Sequence, residues 1–386
     1  MLIFDFHFGM TKTRQQFLEL LRAGLWGERA DENLFREGAD WKEILKTARA
    51  QTVQSVVMDA IETLPAEAWP PREIIHRMMI DRTRNVQMHG LLNRTVNEVV
   101  EALDANGIPS VLLKGQGVAK NYARPESRSC GDIDLYVGEC SFTRAIEVIS
   151  GMKNESLKVG IECEHHVQIS LNGIEIELHK KADYMPGARM NRDLQQWTIE
   201  SIDSNFSTGS LPYWDNGCTK VSLAPATFDA FFILHHAVRH MTTGGIGFRQ
   251  LCDWTMYLHR NHAHIDTEAL KDKLERYRMT AIWQEFGILA VRHLGLPIEE
   301  LPLAPASTGS AKTGRILDQI FISGNFGHAD TSRKDNRQTG YMKRKWRDFS
   351  YQSSRLIMLF RLFPKYSAHY FISWASGGIG RLLSRK

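Results

Sequence analysis

Cysteine is scarce, and its spacing forms no pairs. The 386 residues hold five cysteines (Cys130, Cys140, Cys163, Cys218 and Cys252), with no CxxC among them. An odd count without close spacing argues against a disulfide framework and suits the reduced thiols of a cytoplasmic protein. No uninterrupted apolar run approaches the length of a membrane span. The opening Met1–Phe8 carries Asp5 and His7 inside its apolar run and no basic stretch before it, so it is not expected to be a signal peptide. Internal repeats and low-complexity tracts are also missing, which argues against solenoids and compositionally biased linkers.

What remains is ordinary globular material, 43% apolar and 24% charged, long enough for two or three domains. The net charge of +4 is unevenly spread. From Arg333 onward, 13 Lys/Arg face two acids, a balance of +11 that leaves −7 for the preceding residues. Such a tail either attracts an anionic partner or forms a solvated helix face. Leu356–Phe360, flanked by Arg355 and Arg361, also fits an interfacial helix, so peripheral membrane contact stays open, although a buried helix fits better.

Hydrophobic periodicity divides the chain into three parts. Residues 1–107 read as helical. Asp40 caps a first helix, and Pro70-Pro71 opens a long second one that stops near Asn106-Gly107. Residues 108–220 change period. They contain a short strand over Ile108–Leu113 and another carrying Asp132 and Asp134, then a helix from Ser141 to about Met152. A hairpin around Asn172-Gly173 follows, its turn residues suited to the positive φ angles of a two-residue type I′ turn. Residues 191–224 look irregular. Helices return over 221–386, with a polar loop at 324–340, a helix from Trp346 to Phe363 and an amphipathic segment from Tyr366 to Leu383. The expected fold is α+β: a small mixed-sheet core flanked by N- and C-terminal helical domains.

Gly131-Asp132-Ile133-Asp134-Leu135 carries the most chemical information. Strand side chains alternate, so Asp132 and Asp134 share a face about two strand rises of ~3.3 Å apart. Two like charges on one face call for a cation, and hard oxygen ligands suit Mg²⁺ or Mn²⁺. Gly115 follows a strand and precedes a short helix, where bare amides favour phosphate; Lys114, Gln116 and Gly117 surround it. A third carboxylate is available on the second hairpin strand as Glu175 or Glu177, and parity does not choose between them. Phosphoryl-group chemistry on a nucleotide needs a divalent metal, a phosphate cradle and acceptor geometry, and this short module offers candidates for the first two.

Leu112-Leu113-Lys114-Gly115, Tyr122, Arg128 and Gly131-Asp132-Ile133-Asp134-Leu135-Tyr136-Val137 resemble the DNA polymerase β-like nucleotidyltransferase superfamily. More narrowly, the chain is similar to a bacterial family of uncharacterised nucleotidyltransferases. That family's V/I-E-L-H strand matches Ile176-Glu177-Leu178-His179, its H-x-x-x-H helix matches His236–His240, and its R/L-x-x-D helix matches Arg249–Asp253. The resemblance implies catalytic and metal-binding roles for Asp132, Asp134 and Glu177, selecting Glu177 over Glu175. It implies nucleotide contacts from the Lys114-Gly115-Gln116 turn. Gln116 departs from the Gly-Ser or Gly-Gly usual in the superfamily. Arg128 is read either as a phosphate donor or as a solvated loop arginine. Arg249 and Asp253 are either a surface ion pair or close over the nucleotide. His179 either orients Glu177, contacts phosphate or makes a structural hydrogen bond. His236 and His240 have zinc-like spacing without a third ligand and are expected to pack near the domain junction.

The implied reaction uses an NTP as substrate and an unspecified hydroxyl acceptor: small molecule, saccharide, peptide or tRNA. The rival readings are a non-catalytic nucleotide- or polyanion-binding adaptor and a toxin-like enzyme acting on tRNA or protein.

Overall fold

The computed structural model describes residues 10–152, 158–162, 165–307, 311–327 and 341–369. In chain order the elements begin with α1 (Lys12–Trp26), α2 (Trp41–Ala50), α3 (Gln54–Ile61) and the long α4 (Arg72–Ala105). The sheet region holds β1 (Val111–Leu113), α5 (Gly115–Ala119), β2 (Asp132–Tyr136), α6 (Gly138–Ser150), β3 (Lys158–Glu162), β4 (His166–Leu171) and β5 (Ile174–His179). Then come α7 (Ala188–Thr198), a π-helical turn Ile199–Asp203, the short α8 (Ser204–Phe206), and β6 (Tyr213–Asp215) with β7 (Lys220–Ser222). The remaining helices are α9 (Ala226–Thr243), α10 (Phe248–Asn261), α11 (Thr267–Arg276), α12 (Thr280–Leu294), α13 (Ala311–Ser323) and α14 (Tyr341–Leu362). The fold is α+β.

Local chemistry accounts for most of these boundaries. The Asp40 side chain accepts from the Glu43 amide and starts α2, as expected. Asn172 and Gly173 take φ of 56° and 77°, the left-handed pair that closes the β4–β5 hairpin. Helix α6 starts at Gly138, three residues before the expected Ser141 cap, because Gly138 takes a φ of 72° directly after β2 and turns the chain at once. The segment 191–224 is not irregular: it carries α7, the π turn and the β6–β7 hairpin. Its apolar residues are sparse, but Leu194, Trp197 and Ile202 recur at helical spacing and are buried. Helix α13 was not anticipated either. The polar stretch holds a 3₁₀ turn at Asn325–Gly327. Residues 328–340 and 370–386, which hold most of the amphipathic segment and part of the basic tail, lie outside the described residues.

The five-stranded sheet has the order β1-β2-β5-β4-β3. Strands β2 and β5 are parallel, and the other neighbours are antiparallel. Alternation splits β2 cleanly. Ile133 and Leu135 face a core built with Leu92, Val96 and Val99 of α4 and Phe142 of α6, each large side chain contributing about 1.5–3 kcal/mol on burial. Asp132 and Asp134 therefore face the opposite way, towards α9 and α10. The N- and C-terminal helices share one continuous core. The Phe17 ring of α1 meets Phe248 of α10 at 5.5 Å and Phe321 of α13 at 5.7 Å. The buried Gln51 amide donates to the Ile320 carbonyl and accepts from the Phe248 amide. These contacts fix α10 as a rigid wall opposite the sheet.

Candidate functional site

Parallel pairing of β2 with β5 aligns Asp132 with Glu175 and Asp134 with Glu177. Residues level with each other on neighbouring strands share a face, so all four carboxylates project from one side of the sheet. Glu177 thus stands level with Asp134 rather than on the reverse side. Asp134 is buried, and its oxygen lies 3.0 Å from Lys114 Nζ and 3.1 Å from His179 Nε2. His179, the last residue of β5, also approaches Glu177 at 3.5 Å.

These contacts set the protonation states. Burial alone would raise the Asp134 pKa, but Lys114 and His179 outweigh it and hold the carboxyl well below the ordinary range. His179 shifts up for the matching reason: burial pushes its pKa down, and hydrogen bonds to Asp134 and Glu177 push it further up. The hydrogen bond from His179 lowers Glu177, against burial. Asp132 moves the other way, raised by burial and by the neighbouring Asp134 charge. Lys114 and Arg249 oppose that shift without cancelling it.

The Lys114 turn is conformationally unusual. Lys114 takes φ 53° and ψ −141°, a left-handed backbone that favours glycine, and Gly115 follows at φ 48°. That conformation directs the Lys114 ammonium to Asp134 and to within 3.2 Å of His236 Nε2. Gln116 turns away. Its side chain is buried under the turn and donates to Asn93 of α4, with His89 Nδ1 at 3.2 Å. The Gln116 side chain thus pins α5 onto α4.

The opposing wall comes from α9 and α10. His236 and His240 meet at 2.7 Å through their Nε2 atoms. Burial and Lys114 lower His236 to about 4, and burial with His236 lowers His240 to about 2, so both are neutral at pH 7. Asp183, fully buried, accepts from His235 Nδ1 at 3.0 Å and pairs with Arg239 at 3.2 Å. Burial would raise Asp183, but Arg239 and His235 hold it well below the usual carboxylate range. Neither Asp183 nor Arg239 was anticipated as a site residue. Arg239 lies inside the H-x-x-x-H segment, whereas Asp183 has no local signal.

Two further expectations are corrected. Arg128 is not a solvated loop arginine. It is buried, with Nε and Nη2 at 2.7 and 2.8 Å from the two oxygens of Asp253. Asp253 also accepts from the Tyr122 hydroxyl at 2.6 Å. Asp253 is therefore not the surface partner of Arg249, whose Nη1 instead donates to the Ser129 carbonyl at 3.3 Å. Through these bonds α10 clamps the loop that leads into β2.

Sheet and helices enclose a cleft of about 320 Å³. The expected Lys114, Gly115, Arg128, Asp132, Asp134, Glu177, Arg249 and Asp253 all line it, joined by His165, His166, Arg239 and His240. Gln116 and His179 lie behind its surface. Ligand atoms of Asp134, Glu177 and His179 lie within 4.8 Å of one another, a donor set able to hold a metal ion. Two carboxylates suit a hard divalent cation, and Asp132 adds a third on the same face. The donor chemistry fits such an ion, with His179 better placed to orient the carboxylates than to replace them. Among the described residues there is no disulfide, and no helix is long and apolar enough to cross a membrane.

Fold and cleft together define the class: an α+β protein whose sheet presents carboxylates to a cation-bearing helical wall. The chain belongs to the uncharacterised nucleotidyltransferase family, whose model matches residues 37–295. That span runs from α2 through α12 and contains both walls of the cleft. No curated protein and no solved structure matches the chain.

Proposed function

We propose that the protein transfers a nucleoside monophosphate from an NTP to a hydroxyl acceptor, releasing pyrophosphate. The observation that carries this reading is the β2–β5 register, which lines up Asp134 with Glu177 beneath a cation-lined cleft. The core, residues 108–220, would act between helical domains 1–107 and 221–386. The mixed sheet with both aspartates on its second strand supports placement in the DNA polymerase β-like superfamily.

Asp132, Asp134 and Glu177 would hold Mg²⁺ or Mn²⁺, which supplies charge neutralisation and Lewis acidity at the phosphoryl oxygens. The Lys114-Gly115 turn and Arg249 bind the polyphosphate, and Arg239 adds positive charge to the same wall. His179 keeps Glu177 ionised and oriented, so that its carboxylate can take the proton of the acceptor hydroxyl. The acceptor oxygen forms a bond to the α-phosphorus. The bond from that phosphorus to the bridging oxygen breaks, and pyrophosphate leaves with the electron pair. Arg128 and Asp253 act structurally, holding the loop before Asp132 against α10.

Asp132→Asn and Asp134→Asn should each abolish divalent-dependent pyrophosphate release from the preferred NTP in a protein that stays folded. Unchanged turnover in either refutes the proposal. The non-catalytic adaptor reading draws support from Asp134 already being neutralised by Lys114 and His179. Calorimetry with NTPs separates the two: an adaptor binds equally with and without Mg²⁺, and the enzyme does not.

A further inference from the structure

A second cavity, of about 460 Å³, adjoins the cleft and shares Asp132, Glu177 and Arg249 with it. Its own polar walls come from distant parts of the chain: Thr52 between α2 and α3, Ser129 ahead of β2, Gln168 and Glu175 on the hairpin, and Asn325 after α13. A molecule seated there reaches the same two carboxylates as a nucleotide in the cleft.

The wall is built, not incidental. Thr52 is β-branched yet takes φ 57°, a strained backbone that persists only where its surroundings demand it. Its hydroxyl accepts from Asn325 Nδ2 at 2.8 Å, and Asn325 accepts in turn from Gln250 Nε2 at 2.7 Å. Gln250 sits beside Arg249 on α10, so this chain of amides ties the second cavity to the wall of the first. Ser129 is 7% exposed, and its hydroxyl has no partner among the described residues. A buried hydroxyl left unpaired is costly unless a ligand or water satisfies it.

The lining selects by chemistry. Among the described residues it offers hydroxyls, carboxamides, carboxylates, a guanidinium and the Cys130 thiol, with no aromatic or long aliphatic side chain. Three carboxylates face one guanidinium, which repels a polyanion such as RNA. With Asp132 and Glu177 committed to the reaction, Glu175 is the acidic group left for the occupant. The volume falls in the range of small-molecule sites.

We propose that this cavity is the acceptor site, and that it takes a small polyhydroxylated molecule of the saccharide class, neutral or amine-bearing. The inference rests on the nucleotidyl-transfer reading above. It goes further by naming where the acceptor binds and what it is.

The test uses the full chain with Mg²⁺ and a non-hydrolysable NTP analogue, and follows binding by saturation-transfer NMR and calorimetry. The probes are glucose, glucosamine and myo-inositol, set against tRNA and a serine-containing peptide. At least one polyol should bind, and Glu175→Trp, at a position that lines this cavity and not the cleft, should weaken that polyol at least tenfold. The same variant should leave NTP-analogue affinity within twofold. Absence of polyol binding, preferential binding of tRNA or peptide, or polyol affinity unchanged in Glu175→Trp would each overturn the assignment. NTP binding without polyol binding removes the acceptor assignment alone, whereas loss of NTP binding removes the reading beneath it as well.

Discussion

The seam between sheet and C-terminal helices depends on Arg128 and Asp253, whose side chains are 3% and 9% exposed. Removing one member of a buried, hydrogen-bonded pair strands the other charge and costs about 3–5 kcal/mol. Arg128→Met, which keeps the apolar stem, should therefore destabilise by that amount, as should Asp253→Leu. The second variant also frees the Tyr122 hydroxyl, adding about 1 kcal/mol. The double variant buries no lone charge and should lose only about 2 kcal/mol. The two losses are thus strongly non-additive, with a coupling of roughly 5 kcal/mol or more. Guanidinium unfolding of the four proteins measures this directly, provided the slope is shared by all four.

A second readout on the same variants tests the structural role assigned to Arg128. In the folded double variant, NTP affinity should stay within about threefold, because two of the guanidinium nitrogens are spent on Asp253. Single losses below about 1 kcal/mol, or losses that simply add, would refute the buried-pair argument. A tenfold fall in NTP affinity would return Arg128 to the phosphate.

His236 is held near 4 by burial and Lys114, against an ordinary 6.5, so it is neutral when folded and protonates once unfolded. Its contribution to stability is full above pH 6.5 and is lost as the pH falls towards 4, about 2 kcal/mol by pH 5. Urea midpoints at pH 7 and 5 should therefore diverge more in the wild type than in His236→Gln, and an identical pH response would disprove it. Gly24 of α1 crosses α3 so closely that an added Cβ would sit 1.9 Å from the Val56 carbonyl oxygen. Gly24→Ala must push two helices apart and should cost about 3 kcal/mol, read as a lowered thermal midpoint; a change within the noise would show that the helices slide freely.

How much of this was legible depended on whether the signal was local. Period-two alternation around Asp132 and Asp134 and the Asn172-Gly173 turn each lie within a few residues, and both were readable. Alternation alone does not choose Glu177, because Glu175 shares its face; the family resemblance selects it, and the β2–β5 register places it level with the buried Asp134. The partner of Arg128 lies 125 residues away, and the Lys114–His236 contact spans 122. No spacing rule reaches that far, so the sequence leaves Arg128 as a phosphate donor or a loop arginine, and Asp253 as an ion-pair partner of Arg249 or a residue closing over the nucleotide. Gln116 misled for a related reason. Beside a glycine turn it looks like a phosphate ligand, yet α4 passes beneath and supplies Asn93. Asp183 sits in an unremarkable polar stretch, and its meaning appears only when α9 brings His235 and Arg239 to it.

Most of the positive charge in the cleft is already committed, and the commitments differ in kind. Arg128 is locked in a two-pronged bond, and Arg239 is fixed to a buried carboxylate. Lys114 holds Asp134 through a single ammonium on a flexible stem, and an ammonium exchanges partners more readily than a paired guanidinium. It therefore competes with a divalent cation for Asp134, and an incoming polyphosphate is what can draw it away. Lys114→Ala should then split two affinities in opposite directions. Mn²⁺ alone should bind about tenfold tighter, since relief of one contact worth ~1.4 kcal/mol suffices, well within a Coulomb interaction of ~4 kcal/mol near a protein surface. The NTP should bind more weakly in the same variant, because its phosphates lose a cation. Mn²⁺ titration by electron paramagnetic resonance, with and without nucleotide, reads both. Should Mn²⁺ affinity stay level or fall, Lys114 is no competitor, and the carboxylates are poised for something other than a metal.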